Sequence, residues 1–191
     1  MRIWTIQPIE VLEIVNRQGY YFCDINRSSF YKYEDFMNAY NWLCDKMCER
    51  IGPPPKGVKY PIWGWYMRHG CHKKPDLRER GHKSKGMDCV CLELEIDPSR
   101  IVLSDFDDWH FVLNDWFLFY PTNEEEYNKG IEYIESLPIK KQKELKEKSW
   151  NSVFSLEKID NDWSRRGFTI QATFWVLYKK DIVKVQRFKA R

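Results

Sequence analysis

The sequence lacks the features of a membrane or secreted protein. Among its 191 residues, no apolar run approaches the roughly 20 residues that a membrane-spanning helix needs. Residues 1–7 lead directly into an amphipathic pattern, without the apolar region of a signal peptide. Since six cysteines occur without a secretory signal, we expect them to be reduced thiols. These absences predict a cytoplasmic protein that does not engage membranes.

Several motifs of common enzymes and metal sites are also missing. The sequence has no G-x-S-x-G, no P-loop and no G-x-G-x-x-G, which disfavours triad hydrolases, kinases and Rossmann enzymes. It has no C-x2-C pair either, and its remaining candidate zinc ligands have spacings that suit a structural site poorly. We therefore expect no metal at these candidates, which are His69, Cys71, His72, Cys89 and Cys91.

Positive and negative charges nearly balance over the whole chain but are segregated locally. The net charge is only +3, which by itself does not indicate nucleic-acid binding. Residues 68–85 nevertheless hold seven Lys or Arg, whereas residues 101–128 hold seven acids and no Lys or Arg. Such blocks usually form solvated faces or pair with each other. The alternative is contact with a charged ligand or polymer.

Aromatic residues, by contrast, are abundant: 9 Trp, 11 Tyr and 11 Phe. Because buried Trp and Tyr need hydrogen-bond partners, some of these rings are expected to line a cleft instead.

The chain length and apolar content predict one domain, residues 1–191.

Hydrophobic periodicity predicts an α+β fold for this domain. Strands are predicted at residues 2–7, 20–25, 60–67, 89–96, 100–103, 169–178 and 182–188. Helices are predicted at residues 8–17, 33–51, 124–137 and 139–154. The last two helices form a helical insertion at about residues 115–165. Residues 68–87 form a long polar loop, and loops of this length are often functional or mobile.

An Asp-rich turn follows the predicted strand at residues 100–103. Asp105, Asp107, Asp108 and His110 could form an acid–base or metal-binding cluster, or the turn could cap a helix that begins near Trp109. Glu93 and Glu95 alternate on another predicted strand, where an exposed face is the favoured interpretation.

The order of four segments resembles the DNA-targeting ADP-ribosyltransferase toxins of the DarT kind. The segments are Trp4-Thr5-Ile6-Gln7 followed by a helix and Gly19, the aromatic strand and arginine of residues 60–68, the strand of residues 90–97 with Ser104-Asp105, and Gln171-Ala172-Thr173-Phe174-Trp175. The resemblance covers most of the chain outside about residues 115–165. The opening and closing motifs are also similar to those of an uncharacterised bacterial family of similar length.

The resemblance implies an ADP-ribosyltransferase-like fold with split mixed or antiparallel sheets and flanking helices. It implies a mono-ADP-ribosyltransferase that uses NAD as a substrate to modify a macromolecule such as DNA or RNA. The setting would be a toxin or phage-defence effector, with an antitoxin protein as a partner. The implied NAD-binding residues are Thr5, Gln7, Trp63 and Trp65, and the implied catalytic residues are Arg68, Asp105, Gln171 and Thr173.

Two positions depart from the family pattern. Thr5 stands where the family has a nicotinamide-binding His, and Thr173 stands where it has a catalytic Glu. That carboxylate stabilises the oxocarbenium-like ribosyl cation, and a threonine carries no charge with which to do so. Another acid would then be required, with Asp105, Glu93 and Asp76 as the candidates.

The departures leave two alternatives open. A non-catalytic nucleic-acid-binding module on the same fold would explain Thr173 directly. The lysines and arginines of the polar loop would then approach phosphates. A protein-interaction partner is the other alternative. In either case Gln7, Gln171 and Thr173 would only make hydrogen bonds between neighbouring strands.

Overall fold

The computed structural model describes residues 1–24 and 34–191 and centres on a six-stranded antiparallel sheet. The strands in chain order are β1 (Arg2–Pro8), β2 (Tyr20–Tyr21), β3 (Ile62–Met67), β4 (Asp88–Glu95), β5 (Val102–Asp105), β6 (Ile170–Phe174), β7 (Leu177–Tyr178) and β8 (Ile182–Lys189). Six of them lie in the order β5–β6–β3–β1–β4–β8, while β2 and β7 form a separate two-stranded sheet.

Five α-helices occur in the described residues and flank these sheets. They are α1 (Ile9–Gln18), α2 (Glu34–Ile51), α3 (Phe106–Leu113), α4 (Glu124–Glu135) and α5 (Ile139–Ser149). Short 3-10 helices occur at Pro98–Arg100, Trp150–Phe154 and Lys179–Asp181. The predicted α+β class is confirmed.

Several predicted elements differ in extent from the structure. The predicted strand of residues 169–178 is divided into β6 and β7, because β7 leaves the main sheet to pair with β2. The predicted helix of residues 139–154 is α-helical only to Ser149 and continues as a 3-10 helix. The predicted strand of residues 20–25 ends at Tyr21, and its last predicted residue, Ile25, lies outside the described residues. The predicted helix of residues 33–51 is described from Glu34 onwards, since Tyr33 also lies outside them.

Both faces of the main sheet are covered in part, while the edge strand β8 remains mostly exposed. Helix α1 packs its buried residues Val11, Leu12 and Val15 against one face, and the core there includes apolar side chains of β4. Helices α2 and α3 cover part of the other face, around Trp109. The polar loop of residues 68–87 covers another part of that face, where its Leu77 packs against the cluster of Trp4, Ile6 and Cys91.

The weakest junction of the sheet lies at its centre, between β1 and β3. The ladder of β1 with β4 runs from Arg2–Glu95 to Pro8–Cys89, but β1 and β3 are paired at Trp4 and Trp65 alone. Beyond that pair, the Thr5 hydroxyl donates to the Trp63 carbonyl at 2.6 Å. The sheet therefore consists of two halves, β5–β6–β3 and β1–β4–β8, joined at a junction that we call the seam.

No helix in the described ranges, residues 1–24 and 34–191, is both long and apolar enough to cross a bilayer.

We predict that Gly64→Ala weakens the seam. A Cβ atom at Gly64 would lie 3.0 Å from the Trp4 carbonyl oxygen, so the two strands would have to separate slightly. The free energy of unfolding should fall by about 1–3 kcal/mol, as is typical of overpacking in a tight site. Urea unfolding measures this change, and a variant as stable as the wild type would show that the seam is not closely packed.

Candidate functional site

A cavity of about 380 Å³ opens at the seam. Its volume lies within the roughly 300–1,000 Å³ typical of small-molecule sites. The end of β1 contributes Gln7, β3 contributes Trp63 and Trp65, and β6 contributes Gln171. Because these strands belong to both halves of the sheet, a ligand in this seam cavity would contact both halves.

Thr5 and Gln7 form a short hydrogen-bonded chain beside the seam cavity. The Gln7 amide nitrogen donates to the Thr5 hydroxyl at 2.7 Å, and that hydroxyl donates to the Trp63 carbonyl at 2.6 Å. Thr5 is fully buried and does not line the cavity, whereas Gln7 does. Thr5 therefore joins the two halves of the sheet and fixes the orientation of the Gln7 side chain.

The two indoles of the cavity wall are held by other rings. Trp63 packs against Trp109 with ring centroids 5.3 Å apart, and Tyr40 contacts its edge at 6.0 Å. Trp65 packs against Phe106 at 5.2 Å. Burial raises the pKa of the Tyr40 hydroxyl to about 12, against a smaller lowering by the Trp63 indole. The wall is thus rigid, aromatic and uncharged at this end.

Gln171 places a buried amide in the cavity wall. It lies opposite Trp65 on β3 and Ser104 on β5, so the three side chains share one face of the sheet. Gln171 is only 5% exposed, and within the described part of the chain its amide nitrogen has no hydrogen-bond partner. An unpaired buried N–H group costs about 1–3 kcal/mol, and a ligand oxygen in the cavity would relieve that cost.

The other three residues implied as catalytic lie away from the cavity lining. Arg68 forms an ion pair with Glu79 at 2.8 Å and stacks its guanidinium 4.8 Å from the Trp65 ring centroid. Thr173 is fully buried, and its hydroxyl donates to the Val102 carbonyl at 3.3 Å. Neither residue lines the seam cavity.

Asp105 is a buried capping residue. One of its carboxylate oxygens accepts the backbone N–H groups of Asp107 and Asp108, which begins α3 at Phe106 and not near Trp109. The other oxygen accepts from the Gly167 N–H at 2.7 Å. Three hydrogen bonds thus hold this carboxylate outside the cavity lining.

The two other candidate acids are also engaged elsewhere. Glu93 lies 3.3 Å from both the Arg2 guanidinium and the Trp4 indole nitrogen. Asp76 pairs with Arg78 at 2.7 Å on the surface. Neither carboxylate lines the seam cavity.

Sequence reasoning missed several residues of the cavity wall. Cys23 and Asp24, which follow β2, and His82 and Lys83, from the polar loop, all line it. Burial lowers the pKa of the Lys83 amine, while the neighbouring Cys89 and Cys23 oppose this effect. The charge of the loop was visible in the sequence, but no pattern indicated that it reaches the end of β1.

A basic groove of about 950 Å³ lies beside the same loop. It is lined by Arg78, Arg80, Lys85, Gly86, Lys189, Ala190 and Arg191. The backbones of Gly86 and Ala190 are hydrogen-bonded at 2.8 Å, which fixes the loop to the end of β8. The described lining of this groove has no side-chain carboxylate, although Arg78 pairs with Asp76 and Lys189 with Asp88 beside it, so its positive surface comes mainly from Arg80, Lys85 and Arg191.

A third cavity, of about 710 Å³, lies beside α3 and is acidic, with Asp107, Asp108, Asp160 and Asp162 in its wall. Burial raises the pKa of Asp108 to about 6, against the lowering effect of a 2.6 Å hydrogen bond from the Tyr120 hydroxyl. Across residues 1–24 and 34–191, no group of three or more His, Cys, Asp or Glu side chains is arranged to hold a metal ion.

We predict that Asp105 contributes to stability through its cap. Asp105→Ala removes the acceptor of three backbone N–H groups, so the free energy of unfolding should fall by roughly 2–4 kcal/mol. Asp107→Ala is the matched control, because Asp107 is exposed and caps nothing. Urea unfolding of both variants tests this. An Asp105→Ala protein as stable as the control would contradict the capping role.

Comparison with known proteins places the chain in a family without giving it an activity. No match was found among the curated proteins or among the solved structures. The family described as a domain of unknown function (DUF3841) matches residues 2–183. This range contains the seam and the described lining of the seam cavity. The chain therefore belongs to the DUF3841 family.

Proposed function

We propose that this domain binds NAD in the seam cavity and transfers the ADP-ribosyl group to a macromolecule. One observation carries the proposal: Gln7, Trp63, Trp65 and Gln171, each implicated by the resemblance to ADP-ribosyltransferases, line one cavity. A nicotinamide riboside offers a flat ring to the indoles, and its hydroxyl and carboxamide oxygens can accept from the buried Gln171 amide.

The proposed reaction replaces one bond at the ribose C1′ atom with another. The bond between C1′ and the nicotinamide nitrogen breaks, and the nitrogen keeps the electron pair, so nicotinamide leaves as a neutral molecule. A lone pair on an acceptor oxygen or nitrogen forms the new bond to C1′, and the acceptor proton passes to solvent. Positive charge develops on the ribose during this exchange, and the site must stabilise it.

The basic groove supports a phosphate-rich acceptor. The polar loop contributes Arg80 and Lys85 to the groove and His82 and Lys83 to the seam cavity. An acceptor whose phosphates lie in the groove would thus be held near the cavity by the same loop. DNA or RNA meets this requirement, and a toxin or phage-defence effector with a neutralising antitoxin is the setting that the DarT resemblance implies.

Gln171→Leu is the variant that best separates ligand binding from folding. Leu keeps the approximate volume and removes the unpaired buried amide, so the free energy of unfolding should stay the same or rise by about 1–2 kcal/mol. The Kd for NAD should nevertheless rise about tenfold or more, a loss of at least about 1.4 kcal/mol of binding. Calorimetric titration, urea unfolding and nicotinamide release measure the three quantities.

Gln18→Leu provides the matched control, since it makes the same chemical change at the exposed end of α1. It should leave NAD binding unchanged. The proposal fails if the wild-type protein neither binds NAD nor releases nicotinamide, with or without added DNA or RNA. A loss of stability in Gln171→Leu without any change in Kd would assign Gln171 to folding alone.

Nucleic-acid binding without catalysis is the second candidate function. The basic groove favours it, because its lining includes Arg80, Lys85 and Arg191, for which no ion pair occurs among the described residues, beside the ion-paired Arg78 and Lys189. The absence of the expected glutamate at Thr173 is consistent with a scaffold that binds and does not transfer. Phosphate contacts of this kind make affinity fall steeply with salt concentration.

The paired substitutions Arg80→Ala and Lys85→Ala test this candidate. They should weaken binding of a single-stranded oligonucleotide and reduce the slope of log affinity against log salt by about 1–2. The matched control is Lys140→Ala with Lys148→Ala, which removes the same charge from exposed positions of α5. Fluorescence anisotropy over a salt series gives the result. Equal losses in both double variants would show that the groove is not the binding surface.

A further inference from the structure

The described lining of the seam cavity contains one acidic and one strongly basic side chain. Among the described residues that line it, Asp24 has the only carboxylate and Lys83 has the only primary amine. NAD has the same distribution, with a positive nicotinamide ring at one end and a negative pyrophosphate beyond the ribose. The inference that follows rests on the proposed function.

The chain holds Asp24 at the cavity through β2. The backbone N–H of Lys179 donates to the Gly19 carbonyl at 2.8 Å, and Tyr21 pairs with Leu177 in the two-stranded sheet. Asp24 follows three residues after Tyr21. Asp24 therefore lines the cavity from a segment anchored next to β7, which follows the strand that carries Gln171.

Lys83 reaches the seam cavity from the polar loop. It is half-buried, and no ion pair joins its amine to a carboxylate in residues 1–24 and 34–191. Burial lowers the pKa of this amine, and the nearby side chains of Cys89 and Cys23 act against that lowering. The adjacent His82 ring is held 2.9 Å from the Asp76 carbonyl, which fixes this part of the loop. Lys83 thus places an amine in the cavity wall, and this amine has no ion-pair partner among the described residues.

We propose that Asp24 is the catalytic carboxylate of this site and that Lys83 binds the pyrophosphate. In this arrangement Asp24 faces the ribose and stabilises the positive charge that develops at C1′ as nicotinamide leaves. It supplies the charge that Thr173 lacks and that Asp105, engaged in three backbone hydrogen bonds, does not bring to the cavity. Lys83 sets where the negative end of the ligand lies, and so which way the ligand enters.

The two roles predict different kinetic signatures in the full chain. Asp24→Asn should raise the Kd for NAD only slightly and lower nicotinamide release on the order of 10²–10³-fold, because the carboxylate acts mainly on the charge that develops in the transition state. Lys83→Met should raise the Kd about tenfold or more while turnover at saturating NAD changes little. Glu13→Gln and Lys140→Met are the matched controls, since both alter exposed charges outside the cavity.

Each outcome supports or overturns a part of the inference. If the wild type turns NAD over and Asp24→Asn retains that rate, the Asp24 assignment is wrong while the proposed transfer stands. If the wild type binds NAD without turnover, the transfer and the Asp24 role both fail, and Lys83→Met still reports on the pyrophosphate contact. A wild type that does not bind NAD removes both proposals. Asp24→Glu guards against a folding defect, because it keeps the charge and should retain part of the rate.

Discussion

The junction between β1 and β3 is the constraint on which the rest of the structure depends. The other four interfaces of the main sheet have extended ladders, but this one has a single ladder pair, Trp4 with Trp65. The Thr5 hydroxyl, which bonds the Trp63 carbonyl, adds a side-chain contact next to that pair. Because the ladder does not continue, space remains in the middle of the sheet, and polar groups from both halves can face it.

The fold class was predictable from local signals in the sequence. Alternating apolar residues marked β4, and the Gly19 C-cap, which has a positive φ of 86°, marked the end of α1. The division of β6 from β7 could not be predicted, because it depends on pairing with Tyr20 and Tyr21, more than 150 residues earlier in the chain. The start of α3 was placed too late, since the carboxylate of Asp105 caps the helix three residues earlier than expected.

The candidate site was only half accessible to sequence reasoning. Gln7, Trp63, Trp65 and Gln171 lie on strands that the patterns located, so their convergence follows from the order of those strands in the sheet. The loop residues His82 and Lys83 were not placed, because the path of that loop is set by distant contacts. Examples are the His72 ring on the Arg2 carbonyl at 2.9 Å and the Lys74 amine on Gln186 at 2.5 Å.

The polar loop of residues 68–87 forms part of two surfaces at once. Its residues 81–83 close one side of the seam cavity, and its arginines and Lys85 form one side of the basic groove. The strands beneath it pair with one another independently of the loop. Variation in this one segment among related chains would therefore alter the lining of the seam cavity and of the basic groove together. Such a loop lets a family change two surfaces by exchanging about twenty residues, provided that an apolar side chain remains where Leu77 packs on the sheet.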